Sequence, residues 1–484
     1  MRLIIAVLIV SMVAAAQSTA PVWWAKYQYL LQHPADQSPG TTNSVVVGSN
    51  VNVSSECGPQ SETFITLNPN QPTILAAGSN EIFRDPMRGY SSLDGGATWI
   101  GVDLPLPPPK GNGSRFASDP SLTFDAQGNL FYSYIVVFFG NGSGINGTEM
   151  AVARSTDGGQ TYPSVTNFSA SGGSDHFNDK PMIAADTGYR SPYRDDVYVA
   201  WDAASGGSSS GGVRFARSSD HGATFTVSRI DNPRGPGRVI AAQPFVGPGG
   251  EVYVAWNDYA ANTIALNRSF DGGVTFGTVG VIAAKTIPFD IGIPAISFRR
   301  ALVYPSCDAD RSLGPHRGRL YCSWMDLTGS GNTDIFAAYS DDRGGTWSTP
   351  NPVTDRIPGV DRFYQWLSVD PSNGRVNISF YDTRNDTTGQ RYMTDVYFTD
   401  SPDGVTWFAP NVRVSTVSSN EHDCNGVVPC SAIDYGNQYG DYAGLVSFGG
   451  MSHPVWTDSR RNQSAAGGCR TGLAMEEVFT ATVH

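Results

Sequence analysis

Five segments of this 484-residue chain place an aromatic residue just ahead of an aspartate: Trp201-Asp202, Trp256 with Asp258, Trp324 with Asp326, Tyr381-Asp382, and Trp456 with Asp458. Two of them add an arginine, as Asp382-Thr383-Arg384 and Asp458-Ser459-Arg460. Aromatic faces stack on sugar rings, and paired carboxylates perform acid and base work on a glycosidic bond. Arginine forks bind carboxylates bidentately. Trp256, Asp258, Trp324, Asp326, Arg384, Asp458 and Arg460 are therefore candidate sugar-binding residues, and Asp382 a candidate catalytic acid. The competing reading is structural, because a residue that recurs in every repeat more often caps loop N–H groups.

Residues that break the repetition make sharper candidates. Arg238 closes the stiff basic loop Arg234-Gly235-Pro236-Gly237-Arg238, suited to clamping an acidic sugar. Asp290 stands alone in Pro288-Phe289-Asp290-Ile291-Gly292, where an apolar setting would raise its pKa toward general-acid duty. Tyr439 lies in the Tyr- and Asp-rich approach to the last repeat, residues 433–442. In a polysaccharide lyase, Tyr439 or His176 would abstract the proton beside a uronate carboxylate.

These residues need a scaffold, and the chain declares one. Ser-x-Asp-x-Gly-x-Thr-Trp or a close relative occurs six times, with aspartates at 94, 157, 220, 271, 342 and 403, a mean spacing of about 62. A fixed long period means one supersecondary unit repeated around a ring or along a stack. Ser-x-Asp-Gly is turn chemistry, and each copy follows an alternating strand such as Met150–Arg154, so each marks a hairpin. A seventh unit without the turn follows at 443–456, and Glu477–Ala481 closes the chain. Val51-Asn52-Val53 supplies the missing strand, so that pairing of the two ends removes open sheet edges.

The six turns are Asp boxes, and on them the chain resembles the sialidase-like, BNR-repeat β-propeller superfamily. The fold expected is all-β: a propeller of seven blades, with six as the alternative, occupying residues 46–484. The resemblance implies a glycosidase of exo-sialidase type acting on an acidic glycan, with three arginines on the sugar carboxylate, a Tyr/Glu nucleophile pair and an Asp acid/base. Tyr442 matches the late nucleophilic tyrosine by position. The chain departs from the pattern in two places. The early Phe/Tyr-Arg-Ile-Pro motif is missing, with Phe83-Arg84-Asp85-Pro86 too near the first box to replace it. Glutamates are scarce, and Glu421 is the candidate partner of the tyrosine. A polysaccharide lyase and a non-catalytic glycan- or protein-binding propeller stand as alternatives.

Composition narrows the partners. Net charge is −12 and no Lys/Arg cluster occurs, which argues against nucleic acid and anionic membranes. Met1–Ala16 reads as a secretory leader, with Arg2, an apolar run and Ala14-Ala15-Ala16; residues 17–45 read as a tail. The mature protein is expected to be exported and monomeric. Six cysteines in an exported chain imply disulfides, expected as Cys307–Cys322, Cys424–Cys430 and Cys57–Cys469. No ligand run of a calcium loop is present, so no cofactor or metal is expected, and a structural calcium is not indicated.

Overall fold

Alternating strands joined by tight turns bury both sheet faces only if the sheets pack face to face. In the computed structural model the unit Val47–His484 does this with seven antiparallel sheets. Residues 45–484 are described, apart from 57, 83, 141–144, 172–177, 204–211, 232–238, 297–298, 423–438 and 461–475. The expected leader, nearly all of the tail, Arg238, His176 and the Cys424–Cys430 and Cys57–Cys469 pairs lie outside the described residues.

Blades 1 to 6 each take four successive strands. Their innermost members are Gln60–Asn68, Ser114–Phe124, Asn178–Ala185, Val239–Val246, Ser306–Ala309 and Arg362–Val369. Each innermost strand packs on that of the next blade, and the ring shuts where Thr63 of blade 1 bridges Ala443 of blade 7 in parallel. The chain is an all-β, seven-bladed propeller. Blade 7 is composite: Leu445–Phe448, Met451–Asp458 and Glu477–Thr480 come from the C-terminal end, and Val51–Asn52 adds the fourth strand by pairing Val51 with Thr480. Asn52 Nδ2 also donates to Glu477 at 2.6 Å. The expected closure and the seventh blade are both present.

Between blades the large aromatics fill the space. Trp201 is buried with Ile135, Val137 and Met150, and Trp256 with Val213 and Phe215. Cys307 and Cys322 form a disulfide between paired positions of the first two strands of blade 5. The irregular stretch before blade 5 is an insertion. Its short ladder pairs Asp290–Ile291 with Ala301–Leu302 before Ser306 enters the sheet.

The repeated turn has the same bonding in its first five copies. In the first, Ser92 Oγ donates to Asp94 and accepts from Gly96 N, while Asp94 accepts from Thr98 N and Thr98 Oγ1. Glycine stands at the fifth position of the first five copies with φ between 77° and 94°. In the sixth copy Val405 takes the place with φ 78°, a conformation that a β-branched residue adopts only when its surroundings force it. Replacing Asp271 with Ala removes the acceptor for Val274 N, Thr275 N and Thr275 Oγ1. We expect it to lower stability by about 1 kcal/mol, as for loss of a side-chain cap, measured as a reduced urea midpoint with an unchanged slope.

Candidate functional site

The innermost strands do not run straight. In five of them the ladder register shifts at a corresponding place, so that two residues face one on the neighbouring strand. The bulged residues are Glu62, Asp119, Lys180, Ala241 and Tyr364, all with φ between 50° and 64°. Counted from the paired second strands, Tyr304 and Tyr442 hold the same place in blades 5 and 7. A bulge bends its strand and re-aims a side chain. Here it gathers one residue per blade at the propeller axis, on the face opposite the repeated turns.

A cavity of about 960 Å³ opens there. Its wall includes Glu62, Glu81, Asp119, Asp179, Lys180 and Asp441, together with Arg299 from the insertion before blade 5. Arg299 Nε donates to Asp441 Oδ1 at 2.8 Å, and its Nη2 reaches Glu62 Oε1 at 3.2 Å. Lys180 is ion-paired to Asp441 and lies 3.4 Å from Glu62. Beneath them Tyr442 packs against Tyr304 and Trp366, with ring centroids 5.3 and 6.0 Å apart.

Charge in this buried cluster is sorted by neighbours. Burial pushes Glu62 up to about 8 against the pull of Lys180. Asp179 is raised well above the carboxylate range, first by burial and then by the adjacent Asp119. Burial would raise Asp119 too, but Lys180 and hydrogen bonds from Asp179 and Glu62 hold it below its ordinary value. Asp441 is driven low by Lys180 and Arg299 despite burial. Lys180 is raised, because Asp441, Glu62 and Asp119 outweigh its own desolvation. Two anions and two cations thus balance beside two neutral acids.

Glu81, at the end of the second strand of blade 1, is the other acid in the wall. Burial pushes it up to about 7, although Tyr90 and Ser79 donate to its Oε1 at 2.5 and 3.0 Å.

The residues singled out from sequence distribute differently. Asp290 lines the cavity, but its setting is not apolar: Arg300 Nε donates to it at 2.7 Å. Tyr439 and Tyr442 are each 1% exposed. The Tyr439 hydroxyl bonds Thr394 at 2.7 Å, and Tyr442 donates to the Pro120 carbonyl at 2.9 Å, below the cavity floor. Burial raises both phenols well above 10, so neither is poised as a nucleophile or base. Trp256 and Trp324 are also 1% exposed and present no face to a sugar.

The recurring aspartates hold loops. Asp258 accepts from Ala261 N at 3.0 Å. Asp326 accepts from the backbone of Thr286, Ile287 and Leu327. Asp382 is fully buried against Arg362 and Arg384. Arg384 also pairs with Asp355 and lies over the Tyr397 ring. Asp458 takes Trp456 Nε1 and Arg460, whose guanidinium covers Phe479. None of these lines the axial cavity. Arg84 and Asp85, from the peptide that mimics the early family motif, do line it.

Sequence reading missed Glu62, Glu81, Asp119, Asp179, Lys180, Arg299 and Asp441. The signal available was alignment of the units on their second strands. Glu81 is the blade 1 counterpart of Asp258, Asp326, Asp382 and Asp458, hidden because Ser79 stands where the others have an aromatic.

Fold and cavity define a seven-bladed propeller with an acid-rich axial site. No family model matches the sequence. A 158-residue stretch is 33% identical to a xyloglucanase of Hypocrea jecorina, covering 31% of this chain and 16% of that enzyme. Among solved structures, the chain is similar to the leech intramolecular trans-sialidase (14% identity, TM-score 0.48, 74% of this chain and 70% of that one). It is similar also to NanB sialidase of Streptococcus pneumoniae (11%, 0.49, 72% and 69%) and to Penicillium chrysogenum α-L-arabinanase (12%, 0.43, 76% and 92%). At these identities no residue role transfers to the chain.

The raised acids make stability fall with rising pH. Glu62, Glu81 and Asp202, the last raised to about 8 by burial, stay protonated when folded but ionise near their ordinary values of 4.5, 4.5 and 3.8 when unfolded. The folded state therefore binds more protons between those limits, and stability declines across that window. Urea midpoints should drop from pH 5 to pH 8, and Glu81→Gln should flatten part of the drop.

Proposed function

We propose that this protein is a secreted glycoside hydrolase working in the axial cavity. The observation that carries the reading is that one cavity holds carboxyls whose environments push them in opposite directions, Glu81 up to about 7 and Asp119 down. Such divergence separates an acid from an anionic partner. Glu81 gives its proton to the glycosidic oxygen as the bond to the anomeric carbon breaks. Asp119 supplies negative charge to the carbocation-like centre, and water adds to that carbon while its released proton returns to the Glu81 carboxylate. The xyloglucanase match is in keeping with a carbohydrate substrate. Export is supported by the leader read at 1–16 and by the Cys307–Cys322 disulfide.

Of the three arginines on which the acidic-glycan expectation rested, Arg238 lies outside the described residues and the fold employs the other two elsewhere. Arg384 and Arg460 are neutralised by Asp382 and Asp458 outside the cavity, and the present reading uses no arginine clamp.

Purified protein incubated with neutral, sialylated and uronate glycans should release fragments carrying one added water. Unsaturated fragments would establish a lyase instead, and unchanged substrates throughout would leave a binding propeller. Glu81→Gln and Asp119→Asn should each cut kcat by about 10²–10⁴-fold with the fold intact by circular dichroism. For the unaltered protein kcat/KM should fall as pH rises through about 7, and that limb should vanish from the residual activity of Glu81→Gln.

A further inference from the structure

The cavity carries two features that the chemistry above does not use. The first is a pair of open aromatic faces. Phe116, on the innermost strand of blade 2, and Phe289, on the insertion before blade 5, both line it and are each 37% exposed. Both are braced from behind. Phe116 stacks on Phe139 at 5.6 Å, and Phe289 meets the edge of Tyr259 at 5.1 Å. Leaving two large apolar rings in a polar cavity costs burial that each would otherwise gain. Among the described residues, Tyr304, Tyr364, Trp366 and Tyr442 near the axis are packed away, which makes these two stand out as a surface for a ligand.

The second feature is the electrical balance of the wall. It contains seven carboxyl residues and four cations, Arg84, Lys180, Arg299 and Arg300. Every one of the four is held by a carboxylate: Arg84 by Asp103 at 2.6 Å, Arg300 by Asp290 at 2.7 Å, and both Lys180 and Arg299 by Asp441. A sugar carboxylate entering here finds its potential cationic partners already engaged and meets carboxyls such as Asp85, which pairs with Arg115 at 3.3 Å and is still 67% exposed on its side chain. Groups that can share hydrogen bonds with sugar hydroxyls line the same cavity: Asn80, Ser118 and Asp85, with Ser118 Oγ bonded to Asn80 and Asp119. At about 960 Å³ the cavity sits at the upper end of small-ligand sites, room for a chain of linked sugars.

We infer that the axial cavity binds an uncharged oligosaccharide, with Phe116 and Phe289 as its stacking platforms. This rests on the glycosidase reading and names the substrate class of that same site.

The test is calorimetric titration of Glu81→Gln protein, which binds without turnover, at near-physiological salt. The probes are neutral hexose- and pentose-based oligosaccharides and sialylated and uronate oligosaccharides of matched length. At least one neutral series should bind, and Phe116→Ala and Phe289→Ala should each weaken it about tenfold, with Phe116→Tyr restoring affinity. Preference for the charged probes, neutral binding indifferent to both phenylalanines, or no binding to any probe would each overturn the inference. Release of hydrated fragments by the unaltered protein is scored separately. If charged glycans are both bound and hydrolysed, the hydrolase reading stands while the neutral-substrate inference falls.

Discussion

A backbone irregularity, repeated around the axis, is what the rest of the site depends on. A straight strand sends alternate side chains into the two interblade spaces and none toward the axis. The bulges at Glu62, Asp119, Lys180, Ala241 and Tyr364 break that alternation and aim one side chain per strand inward. Non-glycine residues at positive φ are strained by roughly 1–3 kcal/mol each. The ladder hydrogen bonds on either side of each bulge hold the strand in place and offset that strain. Five such residues on one axis amount to conformational energy spent on assembling a site.

The blade neighbours then determine what that site is. Where the axial residues are Glu62, Asp119 and Lys180, charge is compensated locally, and Arg299 completes it from an insertion rather than from a blade. Where they are Tyr304, Tyr364 and Tyr442, the axis is packed and apolar. The cavity is consequently one-sided, leaning toward blades 1 to 3, and the charged and packed halves define each other. Low dielectric from the aromatic half strengthens every ion pair in the other, and the same burial keeps Glu62 and Asp179 neutral.

The scaffold was legible in the sequence because its devices are local. The Ser-x-Asp turn needs only seven or eight consecutive residues, so six copies and their spacing reveal the units, and the leftover strands at each end reveal the closure. The site was not legible because its residues sit where local pattern fails. Alternation stops at a bulge, so the regular patterns that begin at Ser121 and Trp366 start two residues past Asp119 and Tyr364. Trp256 and Trp324 drew attention because aromatics ahead of aspartates have sugar-binding chemistry, but an aromatic in every repeat is what fills interblade space. Asp290 was found because it broke the repetition, and its partner Arg300 was missed because the pairing spans the insertion.

The seventh blade also bears on how the molecule comes to exist. Six blades are made of strands close in sequence, so each can form with little loop-closure entropy. The seventh joins Val51–Asn52 to Glu477–Thr480 across more than 400 residues, a contact the growing chain cannot make until synthesis is nearly over. Glu62 and Asp441 stand on the two sides of that seam, beside the Thr63–Ala443 bridge, and the lysine and arginine between them bond both. Until the seam shuts, the chain carries unpaired edges and a half-assembled set of charges. A nascent or truncated ring then lacks Asp441 and the ion pairs it makes with Lys180 and Arg299, so the finished charge cluster certifies that the circle has closed.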